Sequence, residues 1–219
     1  MIEFKSWGKI PRLSKSTVSI TEKIDGTNAC VVIMPHCVTP VHLVDREGAI
    51  DVQEVNGQTY AIGAQSRNKL IFPGKNTDNA GFAGWVAENA EELIKLLGPG
   101  YHYGEWWGQG IQRGYGLDHK VFSLFNTHVW GKKAQGIESF LTRANDINLS
   151  VVPELYIGPL DSAALDEVCS DLRQLGSVAA SKEGNTAKAP AEGVILYHHD
   201  LKAYHKVLLE NDDRHKGEL

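Results

Sequence analysis

The sequence predicts an α+β fold of antiparallel sheets flanked by helices. Strand-like runs outnumber helical ones, and they follow one another as hairpins rather than alternating with helices in βαβ units. Two stretches, Ala80 to Leu97 and Leu160 to Leu175, carry apolar residues at helical spacing. No internal repeat and no linker long enough to part domains interrupts the 219 residues, so a single domain over residues 1–219 is expected.

In chain order, residues 1–16 form a lead-in with apolar Phe4, Trp7, Ile10 and Leu13 among Lys5, Lys9, Arg12 and Lys15. Val18 to Ile20 and Ala29 to Met34 are strand-like around an Asp-Gly pair. Alternation at Val41 and Leu43, Ile50 and Val52, and Tyr60 and Ile62 predicts further antiparallel strands. Gln65 to Lys69 is a polar break, and Phe72 to Asn76 reads as loop. Phe82, Trp85, Val86, Leu93, Ile94 and Leu97 share one helix face, which Gly98-Pro99-Gly100 ends. Tyr101 to Trp107 reads as strand, Gly108, Gly110 and Gly114 as loosened chain, and Val121 to Trp130 as strand. Ile137, Phe140, Leu141 and Ala144 mark a short helix, and Val151 to Tyr156 another strand. Leu160, Ala164, Leu165, Val168, Leu172 and Leu175 make a second amphipathic helix ended by Gly176. Ser177 to Pro190 reads as polar loop, Gly193 to Tyr197 and Ala203 to Leu209 as strands, and Glu210 to Leu219 as a frayed tail.

Hydrophobic content of 42% and charged content of 22% suit a globular core. No apolar run reaches membrane-spanning length, and the N-terminus lacks a signal-peptide pattern. Cys30, Cys37 and Cys169 cannot all pair and have no metal-ligand spacing, so they read as thiols in a reducing cytoplasm. A net charge of −5 excludes a surface coated in basic residues while allowing a local basic groove.

The densest chemistry lies in Thr21-Glu22-Lys23-Ile24-Asp25-Gly26-Thr27-Asn28. Asp-Gly between two β-prone runs signals a tight turn, so the expectation is a hairpin with Lys23 at its mouth. A lysine on a rigid strand end beside two carboxylates suits a nucleophile. Alone, the same stretch also reads as a surface hairpin with solvated charges, because Lys-x-Asp-Gly is short.

Further stretches follow in order: Gln65-Ser66-Arg67, Tyr103-Gly104-Glu105-Trp106-Trp107-Gly108, Val121-Phe122-Ser123-Leu124-Phe125-Asn126, Glu192-Gly193-Val194-Ile195 and Tyr204-His205-Lys206-Val207. With Lys23 they form an ordered set spaced by 82, 87 and 14 residues from Lys23 to Glu105, Glu192 and Lys206 in turn. This set resembles the covalent nucleotidyltransferases, the superfamily of ATP-dependent DNA and RNA ligases and mRNA capping enzymes. Lys9-Ile10-Pro11 and Gly26-Thr27-Asn28 are most similar to the phage-type ATP-dependent RNA ligases. Two positions depart from the family pattern: Asn126 stands where Asp is usual, and Tyr204 where the first of two lysines is usual. The 13 residues after Lys206 leave no room for the OB-fold domain of many relatives. The resemblance therefore implies one nucleotidyltransferase (ATP-grasp-like) domain.

The activity so implied is an ATP-dependent RNA ligase joining 3′-hydroxyl and 5′-phosphate ends through a lysyl-AMP intermediate. Lys23 would be the catalytic nucleophile, which an amine can be and a guanidinium cannot. Nucleotide contacts would come from Glu22 at the purine end, Asp25, Gly26, Asn28, Arg67, Glu105 at the ribose, Phe125 stacked on adenine, Glu192 and Lys206. Asp25 and Glu192 would serve Mg²⁺ or Mn²⁺. Phe122 is the alternative stacking residue, and Trp106 and Trp107 belong to packing. A minimal DNA ligase, a capping guanylyltransferase and a non-catalytic nucleotide-binding relative are the competing functions. The expected partner is RNA, as a nicked duplex or a broken strand, with Arg67, Lys182 and Lys188 as groove candidates. A monomer without membrane attachment, in the cytoplasm of a bacterial or phage-infected cell, completes the expectation.

Overall fold

The computed structural model describes residues 16–35, 48–136 and 138–210. The elements are β1 (Thr17–Lys23), β2 (Thr27–Pro35), β3 (Asp51–Val55), β4 (Gln58–Ser66), β5 (Leu70–Ile71), α1 (Phe82–Glu88), α2 (Ala90–Leu97), β6 (Gly100–Gly108) and β7 (Lys120–Leu124). They continue with α3 (Thr127–Gly136), α4 (Glu138–Asp146), β8 (Leu149–Val151), β9 (Glu154–Pro159), α5 (Ser162–Leu175), α6 (Val178–Lys182), β10 (Gly193–His198) and β11 (Ala203–Leu208). Antiparallel sheets flanked by helices are the expected α+β architecture. The chain divides into two compact units, one of Met1–Lys23, Pro153–Ala179 and Lys188–Leu219, the other of Ile24–Val152 and Ala180–Ala187.

The first unit holds a four-stranded antiparallel sheet in the order β11-β10-β1-β9. Alternation along β1 sends Val18, Ile20 and Glu22 to one face and Ser19, Thr21 and Lys23 to the other. Val18, Ile20, Val194 and Leu196 pack with Cys169 and Leu172 of α5. That helix starts where the Asp161 carboxylate accepts the Ala163 N–H (2.9 Å) and ends at Gly176, whose N–H bonds the Leu172 carbonyl. Leu175, expected on the packed face, is 71% exposed in the last turn.

The second unit holds a seven-stranded sheet, β3-β4-β2-β6-β7-β8 with β5 on β4, antiparallel except for β7 and β8. Its core is aromatic: Phe82 lies 4.9 Å from Phe122 and 5.5 Å from Trp106, and Trp85 lies 5.3 Å from Trp106. The Asp78 carboxylate accepts the N–H groups of Ala83 (2.7 Å) and Gly84 (3.0 Å), satisfying orphan donors at the start of α1.

Several expectations need correction. Lys23 is not at the mouth of a hairpin, because β1 and β2 do not pair. β1 pairs with β9 and β10, while β2 pairs with β4 and β6, so Asp25-Gly26 carries the chain from one sheet to the other. Gly26 is small for a different reason than a turn: a Cβ there would lie 2.5 Å from the Trp106 carbonyl oxygen. The helix from Ala80 to Leu97 is two helices broken at Asn89, although all six expected residues are buried. The Val121–Trp130 strand ends at Leu124, because Asn126 caps α3: its side chain accepts the Val129 N–H (3.2 Å) and its carbonyl the Trp130 N–H (2.9 Å). Val151 to Tyr156 is two strands in different sheets, parted at Val152-Pro153, where proline lacks a ladder donor. The loop after Ser177 contains the single-turn α6. The lead-in over 1–15, Val41, Leu43, Cys37, Ile137 and the tail beyond Glu210 lie outside the described residues.

Candidate active site

In the first unit, Lys23 ends β1 and its ammonium pairs with the Glu192 carboxylate. The side chains are 21% and 9% exposed, so the pair is shielded far more than a surface ion pair. Glu192 stands one residue before β10, and Gly193 lies directly across from Lys23. A Cβ at Gly193 would lie 2.2 Å from the Val207 carbonyl oxygen. Glycine thus lets β11 close on β10 and leaves no side chain beside Lys23. Lys206 pairs with Ile195, which pairs with Thr21, so Lys206 and Lys23 share one face of the sheet. Lys206 is exposed on that face.

Glu22 points the other way. It is 2% exposed, and its carboxylate accepts the Ser177 hydroxyl (2.5 Å) and the Ala179 N–H (2.8 Å). Two donors replace part of the water this carboxylate loses. Glu22 therefore fastens residues 177–179 to β1.

In the second unit, β2 and β6 bring Asn28 and Glu105 together as a cross-strand pair. Glu105 is 7% exposed; its carboxylate accepts the Gly26 N–H (3.1 Å) and the Asn28 amide NH₂ (2.8 Å). Arg67 in turn donates through Nε to Asn28 Oδ1 (2.8 Å) and through a second guanidinium nitrogen to the same oxygen. With Oδ1 toward Arg67 and Nδ2 toward Glu105, the Asn28 amide accepts on one side and donates on the other. The Asp25 N–H donates to the Tyr115 hydroxyl (2.7 Å), and its carboxylate accepts from Arg113 Nε (3.0 Å).

Phe125 is 42% exposed just past β7, its N–H bonded to the Tyr103 carbonyl (3.0 Å). Register puts its side chain on the Glu105 face of the sheet. Phe122 is fully buried among Phe82 and Trp85, which removes it as an accessible stacking surface. Trp106 and Trp107 are buried, as expected for packing. Cys30 and Cys169 are buried free thiols, and burial pushes the Cys30 thiol up to about 12.

Arg113 and Tyr115 are the contacts that sequence reasoning missed. They sit in the Gly-rich run 108–116, which has no periodicity and reads only as loosened chain. The available signal is an aromatic residue between Gly114 and Gly116; Tyr115 is 2% exposed and has a φ of 49°. The Asn185 amide also donates to the Tyr115 carbonyl (2.6 Å).

Asp25 and Glu192 are each held by one cation, Arg113 and Lys23 respectively. Among the described residues no group of three or more His, Cys, Asp or Glu could hold a metal alone. Mg²⁺ needs no such cage, since it binds through one or two carboxylates plus waters and substrate phosphates. The donor chemistry of Asp25 and Glu192 fits it. No helix among the described residues is long and apolar enough to cross a membrane.

Known structures share this fold. A Naegleria gruberi RNA ligase variant with AMP and Mn matches with a TM-score of 0.52 and 19% identity, over 92% of this chain and 54% of that one. A variant of the same protein with ATP and Mn matches with a TM-score of 0.52 and 16% identity, over 99% and 60%. Its complex with PPi matches with a TM-score of 0.50 and 17% identity, over 92% and 53%. The chain thus spans a little over half the length of these proteins. No curated protein sequence matches it. The family model described as RNA ligase matches residues 16–208, from the approach to β1 to the end of β11, and the chain belongs to the RNA ligase family.

Proposed function

We propose that the chain is an ATP-dependent RNA ligase that seals 3′-hydroxyl and 5′-phosphate ends through a covalent lysyl-AMP. The Lys23–Glu192 pair is the observation that carries this reading. The Lys23 amine, once it has given up a proton, attacks the α-phosphorus of ATP. A P–N bond forms and the bond to pyrophosphate breaks. A 5′-phosphate oxygen of the RNA then takes the adenylyl group and releases Lys23. Attack by the 3′-hydroxyl on that 5′-phosphate finally expels AMP.

Glu192 is the nearest acceptor for the proton Lys23 must lose, at hydrogen-bond contact with the amine. Lys206 gives a point charge for phosphate on the Lys23 face. In the second unit, Glu105 is fixed by Gly26 and Asn28 and suits a ribose hydroxyl; Arg67 suits a phosphate, and the exposed Phe125 ring suits adenine. Mg²⁺ or Mn²⁺ bound through Asp25 or Glu192 would neutralise phosphate charge. The Naegleria gruberi structures with ATP and Mn and with AMP and Mn support this choice of nucleotide and metal.

The test is sealing of nicked duplexes that carry ribonucleotides only at the 3′-hydroxyl end, against all-DNA nicks, with ATP and Mg²⁺. The RNA ligase reading expects ribose at that end to be required, since the 2′-hydroxyl both donates and accepts hydrogen bonds. Equal sealing of the all-DNA nick would promote the minimal DNA ligase reading. Labelling by GTP in place of ATP would promote the capping-type guanylyltransferase.

A further inference from the structure

One exposed cluster of rings has no part in the reading above. Tyr204 on β11 is 72% exposed, the most exposed large apolar side chain among the described residues. It lies directly across from Tyr197 on β10, with ring centroids 4.5 Å apart and planes tilted by 34°. The Tyr197 ring meets His199 edge-on at 5.1 Å, and His199 Nε2 is hydrogen-bonded to the Ser19 hydroxyl (2.9 Å). Three rings are thus held side by side on the sheet face that also bears Lys23 and Lys206.

Basic residues flank the rings. Lys206 follows Tyr204 by two residues on the same face, and the exposed Lys202 precedes it by two in the turn that opens β11. At about 3.3 Å per strand residue Lys206 stands roughly 7 Å along β11 from the tyrosine, while Lys202 lies in the adjoining turn with a φ of 50°. Among the described residues β11 is the outermost strand of its sheet, so its free edge lies beside this row. An aromatic surface between two cations is complementary to a base flanked by phosphates, and base–aromatic stacking tolerates any base. An apolar protein partner would leave both lysines without counter-ions.

We infer that Tyr204, Tyr197 and His199, flanked by Lys202 and Lys206, form a subsite that stacks an unpaired nucleotide of the RNA strand. The subsite deepens the ligase reading and rests on it for the identity of the strand.

The experiment is an anisotropy titration of the 219-residue chain with a fluorescein-labelled, 5′-phosphorylated single-stranded RNA in the absence of ATP. Tyr204→Ala should weaken binding at least about fivefold, the low end of one lost base–aromatic stack, and Tyr204→Trp should restore it. Lys202→Gln should lower the salt slope by about 0.7, as for one phosphate on a single strand. This variant keeps the proposal open to refutation should Tyr204→Ala fold poorly. Unchanged RNA affinity in Tyr204→Ala and an unchanged slope in Lys202→Gln would overturn the subsite. So would loss of ATP labelling at Lys23 with RNA binding intact, which would assign the rings to ATP. If the parent takes no label from ATP yet Tyr204→Ala still loses RNA, the subsite stands and the ligase reading falls.

Discussion

Gly26→Ala is the sharpest probe of how the fold presents its chemistry. The added methyl would lie 2.5 Å from the Trp106 carbonyl oxygen, 2.7 Å from Trp107 Cβ and 2.9 Å from Glu105 Cγ. Two of these atoms are fixed close to the backbone of β6, so the strand must retreat by roughly 0.9 Å to reach ordinary contact at 3.4 Å. Overpacking of this kind costs about 1–3 kcal/mol. Retreat also stretches the Gly26 N–H bond to Glu105, and a bond to a charged acceptor is worth about 1.5–3 kcal/mol. Together about 2.5–6 kcal/mol is at stake. For a chain of this size that corresponds to a drop of about 5–24 °C in Tm, at about 2–4 °C per kcal/mol. Gly131→Ala in α3 is the control: nothing lies within 4 Å of its added methyl, and the helix should gain up to about 1 kcal/mol. Thermal melts followed by circular dichroism read both variants. Were Gly26→Ala to melt with the parent, Gly26 would be a turn residue after all and the packing account wrong.

Other outcomes follow from single side chains. Glu22→Ala removes the buried carboxylate that accepts the Ser177 hydroxyl and the Ala179 N–H. Urea unfolding should show a loss of about 3–5 kcal/mol, and an unchanged midpoint would assign Glu22 to ligand contact instead. Phe125→Ala should raise the ATP concentration needed for half-maximal labelling, by the roughly 1–3 kcal/mol of a base stack, while Phe125→Tyr stays near the parent. Because the ring is 42% exposed, neither melt should move much; a collapsed melt with unchanged ATP use would make Phe125 a core residue. Burial pushes the Glu183 carboxyl up, against a Ser150 hydrogen bond and the charges of His119 and Lys182. A raised folded value gives stability that is full below the ordinary 4.5 and lost as pH rises through the folded value. Glu183→Gln should therefore stabilise at pH 7.5 and lose that advantage below pH 4.5, as parallel melts will show.

Local pattern made much of the fold legible. Alternation marked β3 and β4, strand-like runs marked β1, β2 and β6, and helical spacing marked α5 together with the buried face of α1 and α2. Lys23, Glu105 and Glu192 each sit in a short ordered motif on a strand or at its start, a pattern that sequence alone can single out. What escaped was pairing between distant segments. Asp25-Gly26 reads locally as a turn, and it is the close approach of β6 at Glu105, Trp106 and Trp107, about 80 residues on, that explains the glycine. Glu22 reads as a site acid until Ser177, 155 residues away, is seen to donate to it. Arg113 and Tyr115 reach Asp25 from a loop whose sequence carries no period. Asn126 was readable in principle, since Asn before a helix is a strong cap, but the strand pattern leading into it masked the signal.

The central claim concerns one nitrogen atom. Incubation of the protein with ATP and Mg²⁺, followed by proteolysis and mass spectrometry, should place AMP on Lys23, and Lys23→Ala and Lys23→Arg should both abolish the label. AMP on another residue, or label persisting in Lys23→Ala, would contradict the account.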